Sequence, residues 1–577
     1  VGVEEAGGLR RIVRRLVVPG PLPPGYHRLE LTLGPLRGET LVISAPLTAP
    51  RARARGWGGF LPVYALRSER NWGVGDLTDL RALLDWTRRL GASMTATLPF
   101  FATFYNEPFD PSPYSPATRL FWNELYVDVT GVPELAASAE ARDLLASPGL
   151  ASELARLRGS ETVEYQAVMA LKRRVLELLA GAVTGRRRDA FEAFLRSDPL
   201  LDEYARFRGA CDRLGRPWSA WPDAPRAGRL SPGDVDEGSA AYHRYAQWIA
   251  HEQLDCLADK GGVGPLYLDL PIGTNPAGFD VWRERGSFVA GASAGAPPDE
   301  VFTRGQEWGF PPMHPDGVRR SGYRYPAECF RRMLRYAGVL RIDHVMGLHR
   351  LFVVPEGHSP SHGVYLRYPA EELYAVLLLE AHRAGAVLLG EDLGTVPSYV
   401  RTGMDRHDVH HSYVVEYELT GDDKLRPPGG RDVASINTHD MPMFAAFWNG
   451  ADIDTRLELG LLGEHDAAGE RERRTRTRHL LVDLLRGEGL LDLERDASAE
   501  DVLRALLAHL ASSEAPIVVV NLEDLWLEEG PQNVPGTSAD RPNWRRKARQ
   551  SLEDMRSSHE VAALLEVVDR HRRAGAE

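Results

Sequence analysis

Apolar residues fall into two alternating patterns along this chain. Gly59-Phe-Leu-Pro-Val-Tyr-Ala-Leu66 is a nearly unbroken apolar run. Leu77, Leu80 and Leu84, with Leu83, Trp86 and Leu90, then recur at helical spacing, and Gly91 supplies a stop. Met94-Thr-Ala-Thr-Leu-Pro-Phe100 is the next run. The alternation breaks over 103–260, where a polar and aromatic loop precedes Ala/Leu/Arg/Glu-rich helical stretches near 134–158, 162–180, 187–211 and 238–260. It resumes with Pro265–Leu270, a Gly/Pro-rich loop over 271–325, a helix near 326–335 and the run Ala337–Leu340, which leads into Arg341, Asp343 and His344. A helix over 369–384 follows, with Pro369 in its first turn and Gly385 past its end. Further runs lie at 386–391, 412–417, 433–438 and 516–522, with helices over 455–510.

Counted from Gly59, these are eight apolar runs separated mostly by helical segments. Strands buried on both faces read as unbroken apolar runs. The pattern predicts an α/β fold, a (β/α)₈ TIM barrel over 51–560 with a large, mostly helical insertion over 103–260. Residues 1–50 carry two alternating runs, His27–Leu33 and Glu39–Ala45, and predict a partial N-terminal β domain that must pack on the body of the protein. Residues 561–577 are expected to form a helical tail. The start lacks a methionine and a signal-peptide core, so a trimmed or incomplete N-terminus is expected. The basic stretch Arg10–Arg15 is expected to be a solvated strand face.

The runs end in charge. Val339-Leu-Arg-Ile-Asp-His-Val-Met-Gly347, Ala386-Val-Leu-Leu-Gly-Glu-Asp-Leu-Gly394 and Val433-Ala-Ser-Ile-Asn-Thr-His-Asp440 each place a carboxylate at or beyond an apolar run. Asp269 and Glu523/Asp524 do the same. Barrel enzymes work at the C-terminal ends of their strands, so these ends predict one acidic site.

Composition narrows the chemistry. The net charge, 69 − 81 = −12, argues against nucleic acid or an anionic membrane as a partner. No stretch is long and apolar enough to span a bilayer. Cys211, Cys256 and Cys329 are scattered, which predicts no metal site, no disulfide framework and a reducing, cytoplasmic setting. An acidic cluster then allows oxygen ligands for a divalent cation, or glycoside chemistry by a nucleophile and an acid/base.

Several residues favour the second reading. Arg341 and Asp343 are two apart and share one side of a strand, where the guanidinium would keep the carboxylate ionised and oriented. Glu391 follows Leu388, Leu389 and Gly390, an apolar setting that suits a general acid. His439 and Asp440 could bond sugar hydroxyls, and Tyr114, Trp308 and Trp122 offer stacking surfaces. Taken alone, Trp122, Trp218 and Trp221 read as packing, and Glu523/Asp524 as a rim salt bridge or helix cap.

The ordered set Arg341-Ile-Asp-His344, Gly390-Glu-Asp-Leu-Gly394 and Asn437-Thr-His-Asp440 resembles glycoside hydrolase family 77, the 4-α-glucanotransferases of the α-amylase superfamily. Asn71–Asp76, Ser112-Pro-Tyr114, Ala296-Pro-Pro-Asp299, Gly305-Gln-Glu-Trp308, Leu522-Glu-Asp524, Asn533–Thr537 and Pro542-Asn-Trp544 extend the resemblance over roughly 57–560. Residues 1–50 resemble the end of an extra N-terminal β domain of its longer bacterial members.

The resemblance implies a retaining transfer of α-1,4-glucan between maltooligosaccharide donors and glucan or glucose acceptors, with no cofactor and no metal. Asp343 would be the nucleophile, Glu391 the acid/base and Asp440 the holder of the donor sugar's 2- and 3-hydroxyls. Arg341, His344, His439, Tyr114, Asp280 and Asp392 would support substrate. Gln306 and Trp308 would belong to a mobile lid over 295–312. Met443 departs from the threonine common after His-Asp-Met-Pro in the family. The alternatives are a hydrolase of the same superfamily, a catalytically silent glucan-binding barrel, and a metal-dependent enzyme.

Overall fold

The computed structural model describes residues 2–6, 9–13, 17, 20–52, 54–258, 264–298, 304–419, 425–492, 497–537 and 541–574. Asp299, the lid positions 299–303 and the basic Arg14 and Arg15 lie outside them.

Eight parallel strands close into a barrel whose spatial order is the order of the chain. They are β1 Gly56–Phe60, β2 Met94–Ala96, β3 Leu266–Leu270, β4 Ala337–Ile342, β5 Val387–Gly390, β6 His410–Val414, β7 Asp432–Ser435 and β8 Ile517–Asn521. Closure leaves no exposed strand edge. Side chains alternate across each strand. Ala96, Val339, Val387, Leu389, Val433, Ile517 and Val519 fill the barrel interior, while Leu340, Ile342 and Leu388 turn outward into the helical layer. Burial on both faces is why these runs lack a polar period.

The helices form where the spacing places them. Ala370–Ala384 buries Leu373, Val376, Leu377 and Ala381 and ends on Gly385 at φ 68°. Only glycine holds that backbone without a Cβ penalty. Leu77–Arg89 starts at Asp76, whose carboxylate caps Asp79 in a reciprocal capping box. Between β2 and β3 lie helices at Ala139–Leu145, Pro148–Gly159, Tyr165–Gly181, Gly185–Ser197, Pro199–Leu214 and Glu237–Asp255. Part of this layer has its own aromatic core, built on Phe121, Tyr204, Phe207, Trp221, Phe279 and Trp282.

At the N-terminal side Gly25–Leu33 and Leu36–Ser44 form an antiparallel hairpin. Its base rests on the barrel helix, where the Tyr26 hydroxyl donates to Glu380 Oε1 at 2.9 Å. Leu31, Leu33 and Leu36 near the tip stay exposed. Gly2–Ala6 pairs separately with Leu9–Val13.

The expected runs are longer than the strands they contain. β1 stops at Phe60, and Val63–Ala65 is a short 3₁₀ turn behind Pro62, which has no N–H to continue the ladder. The sixth strand begins at His410 rather than at 412, and Val415–Glu418 is a helical turn. β7 ends at Ser435, so His439 and Asp440 stand on the loop beyond it. Apolar residues continue past these ends because the loops fold back over the barrel mouth. The 295–312 stretch also contains strands: Ala292–Ala296 and Gln306–Glu307 join Arg350–Pro355 and Val364–Arg367 in an antiparallel sheet. Among the described residues no helix is long and apolar enough to cross a membrane.

Candidate active site

The barrel register brings the charged ends together. Arg341 lies opposite Asp269 across β4 and β3. Ile342 lies opposite Gly390 across β4 and β5, so Asp343 and Glu391 follow as neighbours at the mouth. One cavity is lined by Asp269, Arg341, Glu391 and His439, from four strand ends.

Arg341 is nearly buried and holds two carboxylates. Its Nη1 lies 2.8 and 2.7 Å from the two oxygens of Asp269 and 3.1 Å from Asp343 Oδ1. Burial works against the guanidinium charge, but Asp269 and Asp343 outweigh it and hold its pKa well above the usual value. Asp343 Oδ2 accepts from Ile272 N at 3.3 Å. Its carboxylate is therefore fixed in direction by a guanidinium on one oxygen and a main-chain N–H on the other.

Glu391 is placed differently. Its oxygens accept main-chain N–H bonds from Leu393 at 2.8 Å and His344 at 3.1 Å. Burial pushes its carboxyl up to about 7; Arg341 and the two N–H donors pull it down, and Asp343 pushes it further up. His344 makes its bond from a left-handed backbone, φ 47°. For a residue with a bulky side chain this costs roughly 1–2 kcal/mol, and it turns the N–H toward Glu391. Gly390, just before, admits no Cβ: one would meet Val345 Cγ2 and Met404 Cε at 2.8 Å.

Asp440 sits in the open mouth with 46% of its side chain exposed. The protein packed around it opposes ionisation, yet His439 at 3.2 Å and an Asn533 amide at 2.7 Å hold its carboxyl at about 2. His439 is itself buried; that disfavours its charge, but Asp440 prevails and raises its pKa. Its Nε2 lies 2.8 Å from the Tyr114 hydroxyl, which donates to Asp269 Oδ2 at 2.8 Å. Tyr114 has one proton, given to the carboxylate, so His439 Nε2 must donate to it. Hydrogen bonds thus run from His439 through Tyr114, Asp269 and Arg341 to Asp343, and the same His439 Nε2 faces Asp440 Oδ2 as an ion pair. Tyr114 also stacks on His439, with centroids 5.2 Å apart.

Trp308 stands edge-on to His344, with centroids 5.1 Å apart, and its indole N–H donates to Gln306 Oε1 at 2.8 Å. The 306–308 strand end therefore reaches the same mouth.

Asp280 and Asp392 are not brought there. Asp280 is fully buried and accepts from Thr118 Oγ1, Arg119 N and the Tyr325 hydroxyl. Asp392 turns outward, where Arg401, His411 and Ser412 N bind it. Each carboxylate is enclosed and occupied by protein donors. Trp122 is buried against Phe101 and offers no stacking face. Met443 is buried with its Sδ 3.8 Å from Asn521 Nδ2, below the mouth. Glu523 pairs with Arg546 and Gln532, while Asp524 binds Asn437 and Phe444 N.

Sequence reasoning missed four contributors. Asp269 was legible as a strand-end acid but not as the first partner of Arg341. Asn533 carried no signal beyond its motif. The N–H of His344 and that of Ile272 are backbone groups, which no side-chain pattern announces. Among the described residues no group of three or more His, Cys, Asp and Glu side chains could hold a metal ion.

Comparison with known proteins identifies the family. A family model described as glycoside hydrolase family 77, 4-alpha-glucanotransferase, matches residues 61–552. The 4-alpha-glucanotransferase of Mycobacterium tuberculosis strain H37Rv is 32% identical over 597 residues, covering 96% of this chain and 80% of that protein. That of Haemophilus influenzae is 29% identical, covering 92% and 81%. The crystal structure of amylomaltase from Corynebacterium glutamicum superposes with a TM-score of 0.86 at 27% identity, covering 98% of this chain and 83% of that one. The amylomaltase from Streptococcus agalactiae in complex with acarbose, at 20% identity and a TM-score of 0.71, shares the fold. With the family model spanning most of its length, the chain belongs to glycoside hydrolase family 77, the 4-alpha-glucanotransferases.

Proposed function

We propose that the barrel mouth transfers α-1,4-glucan segments between maltooligosaccharides by double displacement, with retention at the anomeric carbon. The Asp343 carboxylate attacks that carbon while the Glu391 carboxyl gives its proton to the departing 4-oxygen, leaving a covalent glucosyl-enzyme. Glu391, now ionised, takes the proton of an acceptor's 4-hydroxyl. That oxygen attacks the anomeric carbon and releases Asp343.

The observation that carries this reading is the pairing of Asp343 with Glu391 at adjacent strand ends. One is bound by a guanidinium; the other holds its proton to about pH 7. Asp440, held ionised by His439 and Asn533, accepts from donor-sugar hydroxyls. Arg341, His439 and Tyr114 position these carboxylates. His344, Gln306 and Trp308 face the acceptor, where an ordered aromatic wall limits water and favours transfer over hydrolysis. Asp280 and Asp392 act from behind, holding the loop that carries Thr118 and the strand β6 that carries Ser412. The net charge of −12 and three unpaired cysteines support a cytoplasmic setting without nucleic acid or membrane partners.

Incubation with maltotriose alone tests the proposal. Glucose together with oligomers longer than the substrate is expected. Reducing ends that rise with no longer product would assign hydrolysis instead.

A further inference from the structure

The strand Gln306–Glu307 has two sides, and the second leads away from the mouth. Successive residues of a strand point to opposite faces. Trp308 faces His344. Glu307 faces the other way, into a groove of about 610 Å³ that also contains Trp218, Arg285, Ser293 and Glu356.

The chemistry of this groove is specific. Trp218 is half-buried, and its indole N–H is tied to Pro276 O at 3.0 Å, which fixes the ring plane. Arg285 bonds only the Trp282 carbonyl, and burial lowers its pKa, with Arg229 adding to the effect. Among the described residues Arg285, Glu307 and Glu356 have no ion-pair partner. A fixed indole beside ionic groups with free bonding capacity suits pyranose rings: the ring face stacks and the hydroxyls bond at its rim.

We propose that this groove is a second glucan-binding site, which takes a distal stretch of a long α-1,4-glucan on the outer side of the strand that carries Gln306 and Trp308. The proposal rests on the glucan chemistry assigned to the mouth. The strand is the continuous connection: Ala294 N donates to Phe310 O at 2.8 Å, and Gly309 N donates to Ser293 Oγ at 2.9 Å. On this proposal a long chain leaves the mouth over this strand and enters the groove, while a trisaccharide occupies the mouth alone.

Steady-state kinetics with maltotriose and with amylose test this on the full chain. In Trp218→Ala the KM for amylose is expected to rise about five- to tenfold, a loss in the range of one stacked aromatic contact. Trp218→Phe should restore most of it. Glu356→Ala, an exposed position that leaves the core untouched, should raise it about two- to threefold. Maltotriose kinetics should stay at the wild-type values in all three. An unchanged amylose KM in both alanine variants overturns the proposal, and so does an equal rise for maltotriose, which would mean that the groove acts on the mouth itself. A wild-type enzyme that makes no longer oligomers from maltotriose would instead overturn the function assigned to the mouth.

Discussion

Arg341 and Asp269 face each other in register across β4 and β3, and Arg341 Nη1 lies closer to both oxygens of Asp269 than to Asp343. The arginine is thus anchored by one carboxylate and aims another. Asp269 balances much of its charge, and the Tyr114 hydroxyl satisfies Asp269 further. Asp343 keeps one oxygen bound to Arg341 without bearing the whole charge of the pair.

Asp269→Asn tests this division. Removing one partner of a buried ion pair leaves the other uncompensated, at a cost of about 3–5 kcal/mol. The urea midpoint should fall accordingly, and kcat should fall as Arg341 shifts onto Asp343. An unchanged midpoint would show that Asp343 alone satisfies the guanidinium.

The acid role of Glu391 sets the pH profile. A general acid must be protonated, so kcat/KM should decline on the alkaline side with a midpoint near pH 7. The charge of Asp343 contributes to that value, so in Asp343→Asn the Glu391 carboxyl, followed by carbon-13 NMR, should titrate lower. A midpoint that stays in place would exclude their coupling.

Glu391 also links activity to stability. Its folded-state pKa is raised, so the ionised form costs the fold nothing below about pH 4.5 and its full penalty above about pH 7. Glu391→Gln should therefore melt like the wild type at pH 4 and be more stable at pH 8, by about 3 kcal/mol. Its transfer rate should fall about 10²–10⁴-fold. Equal melting at both pH values would contradict the burial penalty.

Tyr114→Phe removes one hydroxyl and keeps the stacked ring. A hydrogen bond to a charged group contributes about 1.5–3 kcal/mol to stability, so the melting temperature should fall, and kcat/KM for maltotriose should fall with it as Asp269 loses a donor. Wild-type kinetics would show that the bonds from His439 to Asp269 do not act on the reaction.

Much of this was legible in the order of residues. Val339, Arg341 and Asp343 share a strand side by period alone, and Gly390 with Glu391 marks the end of an apolar run. Strand identity, helix spacing and the acid after each run are local properties, governed by nearest neighbours and by burial on both faces. The family motifs added their order along the chain.

What the order of residues could not contain is distance. Asp280 and Asp392 look like any other acid beside a strand or turn, yet the fold encloses both. Asp269 becomes the anchor of Arg341 only when β3 and β4 pair in one register, and Asn533 meets Asp440 only after the last loop crosses the mouth. The sequence by itself determined which residues end the strands. Barrel closure decided which of those ends share one low-dielectric space, because a carboxyl's proton affinity and direction depend on charges and N–H groups brought in from remote segments.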